Sequence, residues 1–186
     1  MSLRVVLDAD VIVRMPVCDT MLRLAEAEVF DVVWSDRILD EVRDALISSL
    51  GIRVDRAEHR IKIMRDAFPS ALVHADAVDG LEPIMANATE DRHVLAAAVA
   101  GDAQVVVTFN VRDFPRETCE PFGIEAMHPD HFLLMQLSLD ASGVRRAIGI
   151  QATELSRPPM TLDAVLDTLH TFVPRFVDTF RAPPLN

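Results

Sequence analysis

Lysine is almost missing from this chain. Lys62 stands alone against seventeen arginines, so any chemistry built on a catalytic lysine has a single candidate. Cysteine is nearly as scarce. Cys18 and Cys119 have neither metal-ligand spacing nor framework partners, which excludes a disulfide scaffold and points to reduced thiols in a cytoplasmic protein. No basic stretch leading into an apolar one marks an N-terminal signal, and no apolar run reaches the roughly 20 residues that span a bilayer. No membrane partner is expected. Excess positive charge is absent too. The formal net charge of -11 and pI near 4.9 argue against a protein that holds nucleic acid by bulk electrostatics.

What is present suffices for a full core: 186 residues, half of them hydrophobic, the size of one domain or one domain with an appendage. The acidity is uneven. Residues 76–137 hold three basic and eleven acidic residues, whereas 35–75 and 138–186 are each balanced. Such surroundings suit a hard divalent cation as well as plain solubility.

Arg4-Val5-Val6-Leu7 runs straight into Asp8. A segment apolar on both faces reads as a strand of a parallel sheet, which puts Asp8 at its C-terminal end, where ligand crevices form in open α/β sheets. A carboxylate there must be paired, hydrogen-bonded or on a metal. Gln104-Val105-Val106-Val107-Thr108 is a second buried strand. Val32-Val33-Trp34 and Ala71-Leu72-Val73-His74 are strand candidates, and Ile124-Glu125-Ala126-Met127 is a short edge strand. Helical spacing predicts helices at about 19–29, after Pro16, and at 36–49, capped by Ser35 and ended near Gly51. Further helices are expected at about 55–67, ended by Pro69, and at about 90–101, capped by Thr89 and closed by Gly101; the latter is apolar nearly all round. An acidic loop separates these two, and His128-Pro129 leads a helix at 129–137. The alternation implies a three-layer α/β/α domain over 1–137. Residues 138–186 read as a helical extension, with pieces at 140–154, 161–172 and 174–181 punctuated by Pro158-Pro159 and Pro183-Pro184.

Several acids could answer Asp8. Glu41 borders the buried stripe of its helix, whereas Asp40 and Asp44 share the outer side. Asp91 falls in the first turn of the apolar helix, where the dipole alone would favour an acid; Glu90 beside it reads as the outward one. Thr108, Asn110 and Asp113 follow the second buried strand and lie beside Asp8 if the two strands are neighbours. Alone, Asn110 and Asp113 are ordinary turn residues. Together these groups form an oxygen-only cluster, the donor set of Mg²⁺ or Mn²⁺. Arg92 and Arg112 flank the acids, either balancing them or touching a phosphate. His93 reads as a surface or packed histidine.

Val6-Leu7-Asp8-Ala9-Asp10-Val11-Ile12-Val13, Ile38-Leu39-Asp40-Glu41-Val42, Asp91-Arg92-His93-Val94-Leu95-Ala96-Ala97-Ala98 and Val107-Thr108-Phe109-Asn110-Val111-Arg112-Asp113-Phe114-Pro115 resemble the four motifs of PIN-domain nucleases. The nearest group is the VapC-like toxin component of type II toxin–antitoxin systems. The likeness covers about residues 3–136. It implies a central parallel sheet, Mg²⁺- or Mn²⁺-dependent endoribonuclease activity on RNA, and inhibition by a cognate antitoxin protein. By resemblance, Asp8 and Asp91 match the principal metal ligands, and Glu41 the acid that completes the cluster. Thr108 and Asn110 match the polar turn, and Asp113 its trailing acid. Asp10 stands where the family often has Asn, and Asn110 where many members carry an acid.

Two other readings remain open on the residues alone. Asp8 as nucleophile with Asp10 as acid/base would make a haloacid-dehalogenase-like phosphatase, against which Ile12 occupies the usual Thr or Val place and no lysine follows where a charge-stabilising one is expected. A PIN-like protein that only binds a partner is the other. Apolar positions on the helices near 19–29 and 36–67 exceed what one sheet face needs, so a homodimer is expected.

Overall fold

The first strand, β1 (Arg4–Leu7), lies at the middle of the molecule, with Val5, Val6 and Leu7 fully buried. A computed structural model describes residues 2–154 and 160–182. Along the chain follow α1 (Ala9–Ile12), α2 (Met15–Glu26), β2 (Asp31–Ser35), α3 (Asp36–Ser48), α4 (Val54–Ala67), β3 (Leu72–Val73), α5 (Ala75–Leu81) and α6 (Arg92–Ala100). Then come β4 (Val105–Val107), α7 (Arg116–Cys119), β5 (Glu125–Met127), α8 (Pro129–Leu139), α9 (Ala141–Glu154), α10 (Leu162–His170) and α11 (Pro174–Arg181). The five strands form one parallel sheet in the order β3-β2-β1-β4-β5, flanked by helices. This is the three-layer α/β/α arrangement that the alternation of elements implies.

Strand order reverses at β1. The chain moves from β1 to β2 and β3 on one side, then crosses back to place β4 on the other. Leu7 pairs with Val107, so the two buried strands end side by side and a crevice opens past their carboxyl ends. Val105–Val107 is buried throughout, as the unbroken valine run requires, and β5 is the edge. His93 through Ala98 are all buried in α6, which packs on β1, β2, β4 and α5. Gly101 follows α6 where the chain passes Val33. An added Cβ would stand 2.6 Å from Val33 Cγ1 and 3.0 Å from the Ala97 carbonyl.

Several boundaries differ from the sequence expectation. The helix expected from about residue 19 begins at Met15, because a proline in the first turn lacks only an N–H that needs no partner there. The expected acidic loop after His74 is the helix α5, held by Val78 buried against α6. Thr89 does not cap α6. A 3₁₀ turn over Thr89–Asp91 comes first, and Asp91 takes the N-cap position without using its side chain to cap. The cap on α3 is as expected, with Ser35 Oγ accepting from the Ile38 N–H at 3.3 Å. Cys18 and Cys119 are buried and unpaired, and burial raises both thiol pKa values.

The C-terminal helices pack directly on the α/β body. α9 lies on α2 and α8, α10 on α9, α2 and α11, and α11 on α8. Inside these contacts the Thr20 hydroxyl bonds Gln151 Oε1 at 2.8 Å, and the Phe176 N–H donates to the buried Asp130 carboxylate at 2.8 Å. The division expected between residues 137 and 138 falls in the last turn of α8. The predicted breaks at Pro158-Pro159 and Pro183-Pro184 lie outside the described residues.

Candidate active site

Asp8 follows β1 directly and is 5% exposed. Its N–H bonds the Val107 carbonyl at 3.0 Å, which locks it to the end of β4. There the Thr108 hydroxyl donates to Asp8 Oδ2 at 2.7 Å. Thr108, itself fully buried, also receives the Asn110 N–H on its hydroxyl oxygen at 3.0 Å. One side chain therefore holds both the strand-end acid and the turn that follows β4.

Asp10, which the resemblance does not count among the metal ligands, belongs to the same cluster. Its two carboxylate oxygens accept the Phe109 N–H at 3.2 and 3.1 Å. Spacing alone contained a hint: two residues past the strand end, the first turn of α1 carries Asp10 back toward Asp8.

Asp91 arrives on the N-cap of α6, while Glu90 points outward and is exposed. The Ala88 N–H donates to the Asp113 carbonyl at 3.1 Å, tying the Val111–Asp113 turn to the segment that launches α6. Glu41 is half-exposed on α3, and Asp40 and Asp44 lie outside it on Arg43. His93 backs Glu41. Fully buried, it has Nδ1 3.0 Å from the Glu90 carbonyl, which only accepts, so Nδ1 carries the proton. Its Nε2 lies 3.1 Å from Glu41 Oε1 without well-aligned hydrogen-bond geometry. Arg112 is almost fully exposed, 3.8 Å from Asp113, and Arg92 turns to the Asn87 carbonyl. The side chain of Asn110 is exposed.

Electrostatically these acids act as one group. Burial, then the Asp10 charge, pushes Asp8 up to about 6, with Glu41 adding a smaller push and Thr108 opposing. Burial, then Asp8 and Asp113, pushes Asp91 up to about 6 as well. Burial also raises Asp10, partly offset by the Phe109 N–H and Arg14. No arginine or lysine pairs with Asp8 or Asp91 among the described salt bridges. The cluster holds more negative charge than its surroundings neutralise, a common sign of a functional site. Among the described residues no three acidic, histidine or cysteine side chains are already drawn together as a coordination shell. The donor chemistry still fits a hard divalent cation: five carboxylates, no sulfur, and a charge surplus that a cation would relieve.

Residues 4–112, more than half the chain, match the PIN domain family. The chain belongs to the PIN domain family. Residues 129–182 match the VapC50 C-terminal domain, a span that contains α8 to α11. A curated relative from Mycobacterium tuberculosis (strain ATCC 25618 / H37Rv), named "Putative ribonuclease VapC50", is 44% identical over 92 residues, 50% of this chain and 54% of the relative. The chain thus spans about half the length of the curated relative it matches. No solved structure matches it. The PIN family match takes the place of the haloacid-dehalogenase reading.

Proposed function

We propose that this PIN-domain protein is a Mg²⁺- or Mn²⁺-dependent endoribonuclease and the toxin of a type II toxin–antitoxin system. The supporting observation is the uncompensated carboxylate cluster at the β1/β4 switch point, where Asp8 and Asp91 are both lifted to about 6. Asp8, Asp91, Glu41 and Asp113 would hold the cation, with Asp10 beside them. When bound, it lowers the pKa of a water and neutralises phosphate charge.

The protein's own groups have separable tasks. Thr108 fixes one oxygen of Asp8, which directs the other toward the crevice. The Phe109 N–H holds Asp10 on the same rim. Glu41, more exposed than Asp8 and backed by His93, is placed to accept the proton of the attacking water. That water forms a bond to phosphorus as the bond to the leaving ribose oxygen breaks. Arg112, out in solvent and 3.8 Å from Asp113, is free to reach the RNA backbone.

Residues 1–137 form the nuclease unit in this reading, with 138–186 built onto it. A cognate antitoxin is the expected protein partner. Two copies pair through apolar side chains left exposed near the α3–α4 turn, among them Ile52 and Val54; light scattering across micromolar concentrations checks this. Among the described residues no helix is long and apolar enough to cross a membrane, and a cytoplasmic site of action is part of the proposal.

The test is cleavage of a mixed RNA pool by the purified chain with Mg²⁺, Mn²⁺ or chelator, beside Asp8→Ala and Asp91→Ala. Metal-dependent cleavage lost in both variants is the expected result. Cleavage that survives the loss of both acids overturns the assignment.

A further inference from the structure

A groove of about 690 Å³, within the roughly 300–1,000 Å³ of ordinary ligand sites, is lined in part by Asp10 and Glu41 of the carboxylate cluster. The rest of its wall is largely apolar and includes Val13, Met15, Leu50 and Phe172. Phe172 comes from the turn between α10 and α11, so the C-terminal helices furnish part of the wall. Arg14 is the one cation among the described residues lining the groove.

Arg14 is held in a particular way. Its guanidinium carbon lies 4.3 Å from the centroid of the Phe109 ring, and Nη1 donates to the Asp10 carbonyl. Phe109 in turn meets His128 edge-on at 4.9 Å and Phe172 at 6.4 Å. The planar cation is therefore braced on the ring of Phe109, the residue whose backbone N–H binds Asp10. Flat guanidinium groups and aromatic rings are the surfaces on which unpaired bases stack.

We infer that this groove receives an unpaired base of the substrate RNA next to the scissile phosphate, stacked against Arg14 and Phe172. The inference rests on the nuclease reading. Three observations favour a base over other occupants. Asp10 and Glu41 of the carboxylate cluster also line the groove, so it adjoins the place proposed for the scissile phosphate. The net charge of -11 argues against RNA held by bulk electrostatics, and stacking is an affinity that needs no excess of positive charge. Arg14, the one cation among the described residues lining the groove, carries a planar guanidinium. The C-terminal helices thereby gain a role: they carry Phe172 to the substrate as a binding surface for the base.

The test measures binding of a single-stranded RNA oligonucleotide containing 2-aminopurine, by fluorescence quenching and anisotropy. The full chain carrying Asp8→Asn and Asp91→Asn is used, which neither cleaves nor needs metal to bind phosphate. A matching oligonucleotide has an abasic position in place of the fluorescent base. Phe172→Leu keeps the apolar volume and removes the aromatic face; Arg14→Lys keeps the charge and removes the plane. Each is expected to weaken binding of the base-bearing RNA at least about fivefold, the lower end of one stacking interaction, and to leave abasic RNA unaffected. Circular dichroism confirms that both variants fold. Equal weakening for both oligonucleotides, or none for either, overturns the inference. If the parent cleaves RNA with Mn²⁺ and Phe172→Leu cleaves it equally well, the groove assignment fails while the nuclease reading stands. If the parent cleaves no RNA with either metal and the neutralised chain binds none, the nuclease reading falls and the groove assignment with it.

Discussion

Replacing Asp8 by Asn should abolish cleavage and yet make the metal-free protein more stable at neutral pH. Asp8 is buried beside Asp10 and Glu41, and its pKa rises from 3.8 to about 6. A carboxyl whose folded-state pKa lies above its unfolded value holds its proton more tightly when folded. Its contribution is therefore fully favourable below about pH 4 and is lost as pH rises to about 6. Two pKa units correspond to about 3 kcal/mol. The Asn amide oxygen still accepts the Thr108 hydroxyl, and the weakening of that bond on loss of charge is already contained in the pKa shift. The net gain at pH 8 is about 3 kcal/mol, or roughly 6–12 °C in Tm for a chain of this length. Thermal melts in chelator at pH 4 and pH 8 measure it. The variant should melt higher than the parent at pH 8, and the advantage should disappear at pH 4. A variant that melts at or below the parent at pH 8 refutes the reasoning, as does a gain of equal size at both pH values.

Adding Mn²⁺ or Mg²⁺ at pH 7.5 should raise the Tm of the parent in proportion to the logarithm of metal concentration and leave Asp8→Asn much less affected, because only the intact cluster gains from neutralisation. Calorimetry of the same titration should detect proton release by the parent. Gly101→Ala should destabilise the fold by about 1–3 kcal/mol in urea titration, since its Cβ would press on Val33 and the Ala97 carbonyl. Asp130→Ala leaves the Phe176 N–H buried without an acceptor and should cost about 1–3 kcal/mol by the same assay.

Much of the framework is visible in composition and spacing. Three-residue apolar runs at 5–7 and 105–107 read as strands covered on both faces, and both are buried throughout. The run from His93 to Ala98 has no polar face and is buried accordingly. Glu41 was separable from Asp40 and Asp44 because it borders the apolar stripe. α5 was not legible: its sequence is mostly acidic and small, and what holds it is Val78 against a helix some twenty residues on. The 3₁₀ turn ahead of α6 was missed for a related reason. Thr89 is a good cap by type, but the segment is set by the Ala88–Asp113 backbone bond, which joins distant parts of the chain.

Sequence alone determined that Asp8 would stand at the end of a buried strand, with acids on two later helices and a polar turn after a second strand. Those are consequences of local periodicity, which neighbouring residues set. Only the tertiary structure decided that the strands lie side by side, through the Leu7–Val107 register, and so that Thr108 bonds Asp8 across a separation of 100 residues. It also decided that Asp10 joins the cluster, that His93 stands behind Glu41, and that Phe172 reaches Phe109. Each of these depends on which surfaces pack together. That choice minimises exposed apolar area over the whole molecule, and no single segment contains it.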